Sequence, residues 1–134
     1  MESNKQKYQQ YVEEFLQKGD ESAADLLVSQ DVVTHDGMPG QAPGLAGVKD
    51  TFRILRTAFP DLKANMQDII AEGGKVVGRF EVSGTHTGSF MGVPATGKSF
   101  NYDEIVIVRF KDGKIVEHWA EMDTMGFMQQ LGLM

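Results

Sequence analysis

The sequence predicts an α+β domain in which helices pack on one face of an antiparallel sheet. Three observations carry that expectation. The apolar period sits near 3.6 residues up to Pro60 and near 2 after it. Two tight-turn signals, Gly73-Gly74 and Asp112-Gly113, link later strands into hairpins. The regular βαβ alternation of a doubly wound fold is missing.

The elements follow in order. Tyr8, Tyr11, Val12, Phe15 and Leu16 fall at i, i+3, i+4, i+7 and i+8, the stripe of an amphipathic helix that Gly19 ends. A shorter helix starts near Ser22 and carries Ala23, Ala24, Leu26 and Leu27. DVVTHD, residues 31–36, is a short extended piece, and GMPGQAPG, residues 37–44, is a loop by its glycines and prolines. A third helix follows Gly47, with Val48, Phe52, Leu55 and Phe59 on one side and Pro60 as its end. Strands are expected at 62–72, 75–86, 99–110 and 114–123. The Gly-rich segment TGSFMGVPATGK, residues 87–98, joins the second to the third. That segment is read as lacking the G-x-x-x-x-G-K-S/T spacing and as leading into a strand rather than a helix, so a phosphate-loop reading is rejected. TMGFMQQLG, residues 124–132, closes the chain as a helical turn or two, with Thr124 as N-cap and Gly132 as stop.

A chain of 134 residues suits a single domain over residues 1–134, and 41% hydrophobic with 24% charged residues excludes wholesale disorder. The 13 basic and 19 acidic residues give a net charge of −6 with no basic stripe, which argues against a nucleic-acid or anionic-membrane partner. With no cysteine, disulfides, thiolate metal sites and a cysteine nucleophile are excluded. The segment MESNKQKYQQYVEEF lacks the apolar run of a signal peptide and no stretch reaches membrane-spanning length, so a cytoplasmic domain is expected. Three scattered histidines show no metal-ligand spacing, and no metal is expected.

Strand alternation places Ile115, Glu117, Trp119, Glu121 and Asp123 on one face of the last strand, and Val116, His118, Ala120 and Met122 on the other. Carboxylates beside the sole Trp fit the wall of a ligand cavity better than a dry core. A bulge after Trp119 would turn Glu121 outward. Arg79 reads either as a solvent-face residue or as a cavity residue paired with Glu117 or Asp123. His86, between glycines in GTHTG, and His35 are candidates for proton transfer or for structural hydrogen bonds. His118 is assigned to the surface or an interface. Asp123 is open to two readings, a helix N-cap and a desolvated acid/base. Eight methionines, Met38, Met66, Met91, Met122, Met125 and Met128 among them, offer an adaptable apolar lining.

AFPDL at 58–62, GTHTGSFMGVPATGK at 84–98, DGKIVEHW followed by Asp123, and the closing MGFMQQLG together resemble the SnoaL-like polyketide cyclase family. Phe127 stands where that family commonly has Leu. The resemblance runs in order from about His35 to Gly132. It implies a conical α+β barrel of the nuclear transport factor 2-like type, a curved antiparallel sheet whose deep pocket is closed by N-terminal helices. It implies intramolecular aldol ring closure without metal or cofactor, and homodimers or higher homo-oligomers that pack sheet on sheet. By its place in W-x-x-x-D, Asp123 takes the general acid/base role, with His86 or His35 stabilising an enolate. Arg79, Glu117, Trp119, Phe90 and Met122 would contact a small apolar or aromatic ligand. The fold also hosts non-catalytic binders, so a small-molecule binding protein is the alternative reading.

Overall fold

A computed structural model describes residues 3–134. Ser3 caps α1 (Asn4–Tyr11) reciprocally, its hydroxyl accepting the Gln6 N–H while the Gln6 side chain accepts the Ser3 N–H. The helix widens into a π-helical stretch, Val12–Gln17, whose Phe15 carbonyl also accepts from the Arg56 guanidinium. Tyr8, Tyr11, Val12 and Phe15 are buried, as their spacing predicts. Asp20 caps α2 (Glu21–Leu27), which runs directly into β1 (Val28–Thr34).

Helix α3 spans Gly44–Ala58 and therefore starts four residues before Val48, where the helix was expected to begin after Gly47. Gly47 lies inside it because a Cβ there would stand 1.7 Å from the Ala42 carbonyl oxygen. The strands β2 (Lys63–Glu72), β3 (Lys75–Thr85), β4 (Ser99–Lys111) and β5 (Lys114–Met122) follow, then α4 (Thr124–Gln130). Both hairpin turns, Gly73-Gly74 and Asp112-Gly113, hold two consecutive positive φ angles, the geometry that matches strand twist.

The sheet order is β1-β5-β4-β3-β2. Strands β2 to β5 pair antiparallel as predicted, but β1 pairs parallel to β5. The expected conical barrel is thus an open, curved five-stranded sheet with edges at β1 and β2. The helices cover its concave side, and the core gathers there around Tyr8, Phe15, Phe59, Phe80 and Leu131. Among the described residues no helix is long and apolar enough to cross a membrane.

One register irregularity decides which side chains face inward. Arg109 stands opposite Glu117 while its neighbour Phe110 stands opposite Ile115, so Val116 is an extra residue in β5. Ile115 turns into the core with Phe110, and the residues after the bulge are inverted relative to it. His118, Ala120 and Met122 face the helices; Glu117, Trp119 and Glu121 face away. The expected bulge after Trp119 lies instead before Glu117, and it separates Ile115 from the carboxylate face.

Candidate functional site

Between the concave face and the helices lies a cavity of about 240 Å³. Phe80, Val82, Tyr102, Val106 and Ile115 form its floor from the sheet. Tyr8 and Tyr11 of α1, Phe52 and Leu55 of α3, and Phe127 of α4 enclose it. Phe90 reaches in from the segment between β3 and β4. That segment is fastened to the end of α3, where the Ala58 carbonyl accepts the N–H groups of Thr87 (3.1 Å) and Gly88 (3.0 Å). The wall is therefore mainly aliphatic and aromatic, as ligand cavities are.

Three ionisable side chains interrupt it. Asp36 follows the end of β1, and His118 stands opposite Thr34 in the parallel register, so the β1–β5 pairing brings the two together. His118 Nδ1 lies 2.8 Å from Asp36 Oδ1, and the His118 carbonyl accepts the His35 N–H at 2.9 Å. Glu104 projects from β4 on the inward face, opposite Met122 and between Tyr102 and Val106 in the alternation. Burial pushes its carboxyl up to about 7; His118 pulls against that shift and Asp36 adds to it. None of the ion pairs among the described residues includes Glu104.

Burial raises the Tyr8 phenol well above its ordinary range, with Tyr11, Glu104 and Asp36 adding to the effect. Burial raises Tyr102 as well, and Glu104 contributes. Both phenols thus remain hydrogen-bond donors at neutral pH. Among the described residues no Lys or Arg lines the cavity. Among the described residues no group of three His, Cys, Asp or Glu is placed to hold a metal ion. Chemically the site offers an apolar chamber, one carboxyl poised to gain or lose a proton near neutrality, a carboxylate-oriented imidazole, and phenol donors.

Of the eight residues singled out in the sequence, Phe90 and Met122 line this cavity and the other six do not. Trp119 lies on the convex side, stacked on His35 at 4.9 Å with the rings 8° from parallel, and Lys75 sits over it with Nζ 5.3 Å from the ring centroid. Glu117 joins them, with Oε2 2.8 Å from His35 Nε2 and Oε1 accepting from Arg109 Nε at 2.7 Å. These two partners, His35 first, hold its carboxyl below the ordinary value. Arg79 pairs with Asp68, at 2.8 Å from Nε, and not with Glu117 or Asp123. Arg79 faces outward by the alternation of β3 itself, whereas the β5 bulge puts Trp119 and Glu117 on the outer face and brings His118 inside, the reverse of its expected surface position.

Asp123, not Thr124, is the N-cap of α4; its Oδ1 accepts the Gly126 N–H at 2.9 Å, and it is exposed. His86 is fully buried, its Nδ1 accepting the Thr96 N–H at 3.3 Å and its ring meeting Phe59 edge-on at 5.6 Å. It pins the segment that carries Phe90. Residues 92–99, GVPATGKS, do have the G-x-x-x-x-G-K-S spacing of a phosphate loop. The structure upholds its rejection: the run enters β4 rather than a helix, and the Val93, Thr96, Gly97 and Lys98 N–H groups are already bonded to protein acceptors. Of the methionines, Met38 and Met122 line the cavity, while Met91 and Met125 are exposed.

Glu104, His118 and Asp36 were not among the candidates. One signal for Glu104 is in the sequence: it alternates with Tyr102, Val106, Val108 and Phe110, a polar residue on an otherwise apolar strand face.

The family model for the SnoaL-like polyketide cyclase matches residues 6–131. The aklanonic acid methyl ester cyclase DnrD of Streptomyces peucetius is 36% identical over 80 residues, 58% of this chain and 54% of that protein. The nogalonic acid methyl ester cyclase of Streptomyces nogalater is 32% identical over 80 residues, 58% of this chain and 59% of that one. These alignments thus span little more than half of each curated relative. Among solved structures, IdmH from Streptomyces antibioticus superposes with a TM-score of 0.84 at 34% identity, covering 98% of this chain and 99% of that one. TsrD from Streptomyces laurentii gives 0.87 at 31%, covering 99% and 100%.

Proposed function

The chain belongs to the SnoaL-like polyketide cyclase family, and we propose that it closes a ring in a small, largely apolar carbonyl compound by general acid/base chemistry supplied by its own side chains. The observation that carries this reading is Glu104, a carboxyl raised to about 7 inside an apolar cavity. Such a group serves as base and then as acid at neutral pH without a large penalty for either state.

The step is an intramolecular aldol addition. Ionised Glu104 takes a proton alpha to one carbonyl, and the resulting enolate carbon bonds to a second carbonyl carbon. The electron pair of that C=O bond moves to its oxygen, and the alkoxide takes the proton back from Glu104. Atoms and electrons balance within substrate and protein, so the addition is an isomerisation and consumes no co-reactant. Tyr8, kept protonated by burial, donates to the enolate oxygen. Asp36 fixes the His118 ring through Nδ1, which leaves Nε2 for the second carbonyl. The aromatic walls hold the chain folded so that its two reacting carbons meet. In this reading Asp123, His86 and His35 support the structure and do not carry the proton. The working unit is a homodimer formed through the convex sheet face.

The test uses a neutral methyl ester bearing a β-diketone arm, with two readouts: ring closure, and solvent deuterium entering the alpha carbon. Glu104→Gln should lower both by at least about 100-fold, with the fold intact by circular dichroism. Equal rates for wild type and variant would remove Glu104 from the mechanism. A cavity that binds the ester but exchanges no alpha proton in either protein supports the binding-protein alternative.

A further inference from the structure

The loop before α3 is built around one side chain. Met38-Pro39-Gly40-Gln41 closes as a type II turn: Gly40 follows the proline with φ +80°, and the Gln41 N–H donates to the Met38 carbonyl at 2.9 Å. The Gln41 side chain then folds back over the same turn. Its Oε1 accepts the Met38 N–H at 3.1 Å and the Thr51 hydroxyl of α3 at 2.8 Å. A backbone N–H only donates, so the side-chain atom beside it is the amide oxygen and not the nitrogen. Two glycines leave room for this arrangement. A Cβ at Gly37 would stand 3.2 Å from Gln41 Oε1, and one at Gly47 would stand 3.0 Å from Gln41 Cγ.

With the oxygen fixed from two sides, the orientation of the Gln41 NH2 group is fixed as well. It donates to no acceptor among the described residues. Nor is it sealed in packed protein, since among those residues His86 Nε2 is the one buried side-chain nitrogen or oxygen without a partner. Gln41 lines the cavity, and with Val32, Thr34 and Met38 it also lines a shallower groove between β1 and the loop. A neutral donor, oriented in advance and unpaired within the protein, thus stands at the boundary of the cavity. Such a group suits an uncharged carbonyl oxygen, because little ordering of the protein remains to be done on binding.

We propose that Gln41 is a specificity-determining residue of this cavity, donating through Nε2 to a carbonyl oxygen of the bound ligand while Thr51 and the Met38 N–H hold its orientation. The inference rests on the cavity being the ligand site, as in the reading above, but not on any turnover there.

The experiment titrates methyl 2-naphthoate and 2-sec-butylnaphthalene, which matches its shape without an acceptor, into protein isotope-labelled at glutamine side-chain nitrogens and methionine methyl groups. Met38 and Met122 report that a probe has entered the cavity. The ester should move the Gln41 side-chain amide protons downfield, and the hydrocarbon should leave them in place. Gln41→Met removes the donor; Gln41→Glu also removes it but keeps an oxygen for the Met38 N–H and Thr51, so the turn stays clasped. Each variant should weaken the ester by at least about threefold and hold the hydrocarbon within about twofold of wild type. Equal losses for the two probes would make Gln41 a packing residue, and an ester affinity unchanged in both variants would leave its amide off the ligand; either overturns the proposal. Failure of both probes to shift Met38 and Met122 overturns it together with the cavity as ligand site. A protein whose ester binding depends on Gln41 yet never exchanges an alpha proton keeps this assignment while the acid/base reading fails.

Discussion

Glu104 is held between two demands. Packing on the inward face of β4 favours its neutral form, whereas water at neutral pH favours its charged one, and burial wins far enough to bring the carboxyl to about 7. The sign of the stability effect follows. Between about 4.5 and 7 the native protein holds the Glu104 proton that the unfolded chain has released, so this residue's contribution falls as pH rises through that window. The whole effect is at most about 3 kcal/mol, and less where cavity water screens the charge. Glu104→Gln should therefore gain stability over wild type between pH 5 and pH 8, by about 1–3 kcal/mol in urea unfolding. A constant difference across that range would contradict the raised value. The same ionisation should appear as a rise in kcat/KM through about pH 7, lost in the variant. For Asp123 the expectation is the reverse of a catalytic one. Asp123→Asn keeps a good N-cap and should keep activity within about threefold, while Asp123→Ala should cost about 1 kcal/mol of stability. Sequence alone offered both readings of this residue, and the Gly126 N–H bonded to its carboxylate agrees with the cap. Glu104 was legible as an inward acid by alternation with Tyr102 and Val106. His118 was not, because its orientation depends on a bulge that leaves no mark in composition.

That bulge shows why the strands were easier to find than to orient. The positions of β2 to β5 follow from period-2 patterning and two turns that demand positive φ, and they match the predicted ranges within a residue or two. Their facing does not follow, since a single extra residue inverts every later side chain. Val116 moves His118 into the cavity and turns Glu117 and Trp119 out beside His35, while Arg79 faces out by the alternation of β3, Asp123 caps α4 and His86 packs against Phe59. Strand β1 was legible only in its second half, as DVVTHD, for a different reason. It pairs parallel with β5 through a long irregular stretch, Val28 opposite Ile115 and Val33 opposite Glu117, so no hairpin turn announces it. At α3 the sequence misled by one glycine. Gly47 looked like a boundary, yet it sits within the helix where the preceding loop crosses its backbone. Gly47→Ala should therefore cost more than the usual gain from replacing a helical glycine, because its Cβ would overlap the Ala42 carbonyl. We expect a loss of about 2 kcal/mol or more in thermal or urea unfolding. A stability equal to or above wild type would mean that the loop yields without cost.

Seen whole, the molecule uses the two faces of one open sheet for different purposes. Helices cover the concave face and leave a cavity; the convex face carries a small apolar centre among charged side chains. Val77, Ile105, Ile107 and Trp119 form its centre, and Ile105 remains 48% exposed. Charged side chains surround this centre. Lys75 and Arg109 stand opposite each other at one end, with Glu117 paired to Arg109; Arg79 and Glu121 flank Ile105, and Glu81 and Asp103 stand at the other end. A two-fold axis lying between two such sheets and running across the strands sets the basic end of one on the acidic end of the other and buries both apolar centres. We propose a second copy of this chain as the occupant of this face, the homodimer named above. Sedimentation velocity at tens of micromolar should report a dimer, and Ile105→Glu, which places a charge at the centre of the patch, should yield a monomer. Because Ile105 points away from the cavity, that monomer should bind methyl 2-naphthoate within about threefold of wild type. A wild-type monomer at that concentration would remove the self-association. A dimer that survives Ile105→Glu would move it to another surface, whereas loss of ligand binding together with the dimer would show that the convex face supports the cavity through the sheet it shares.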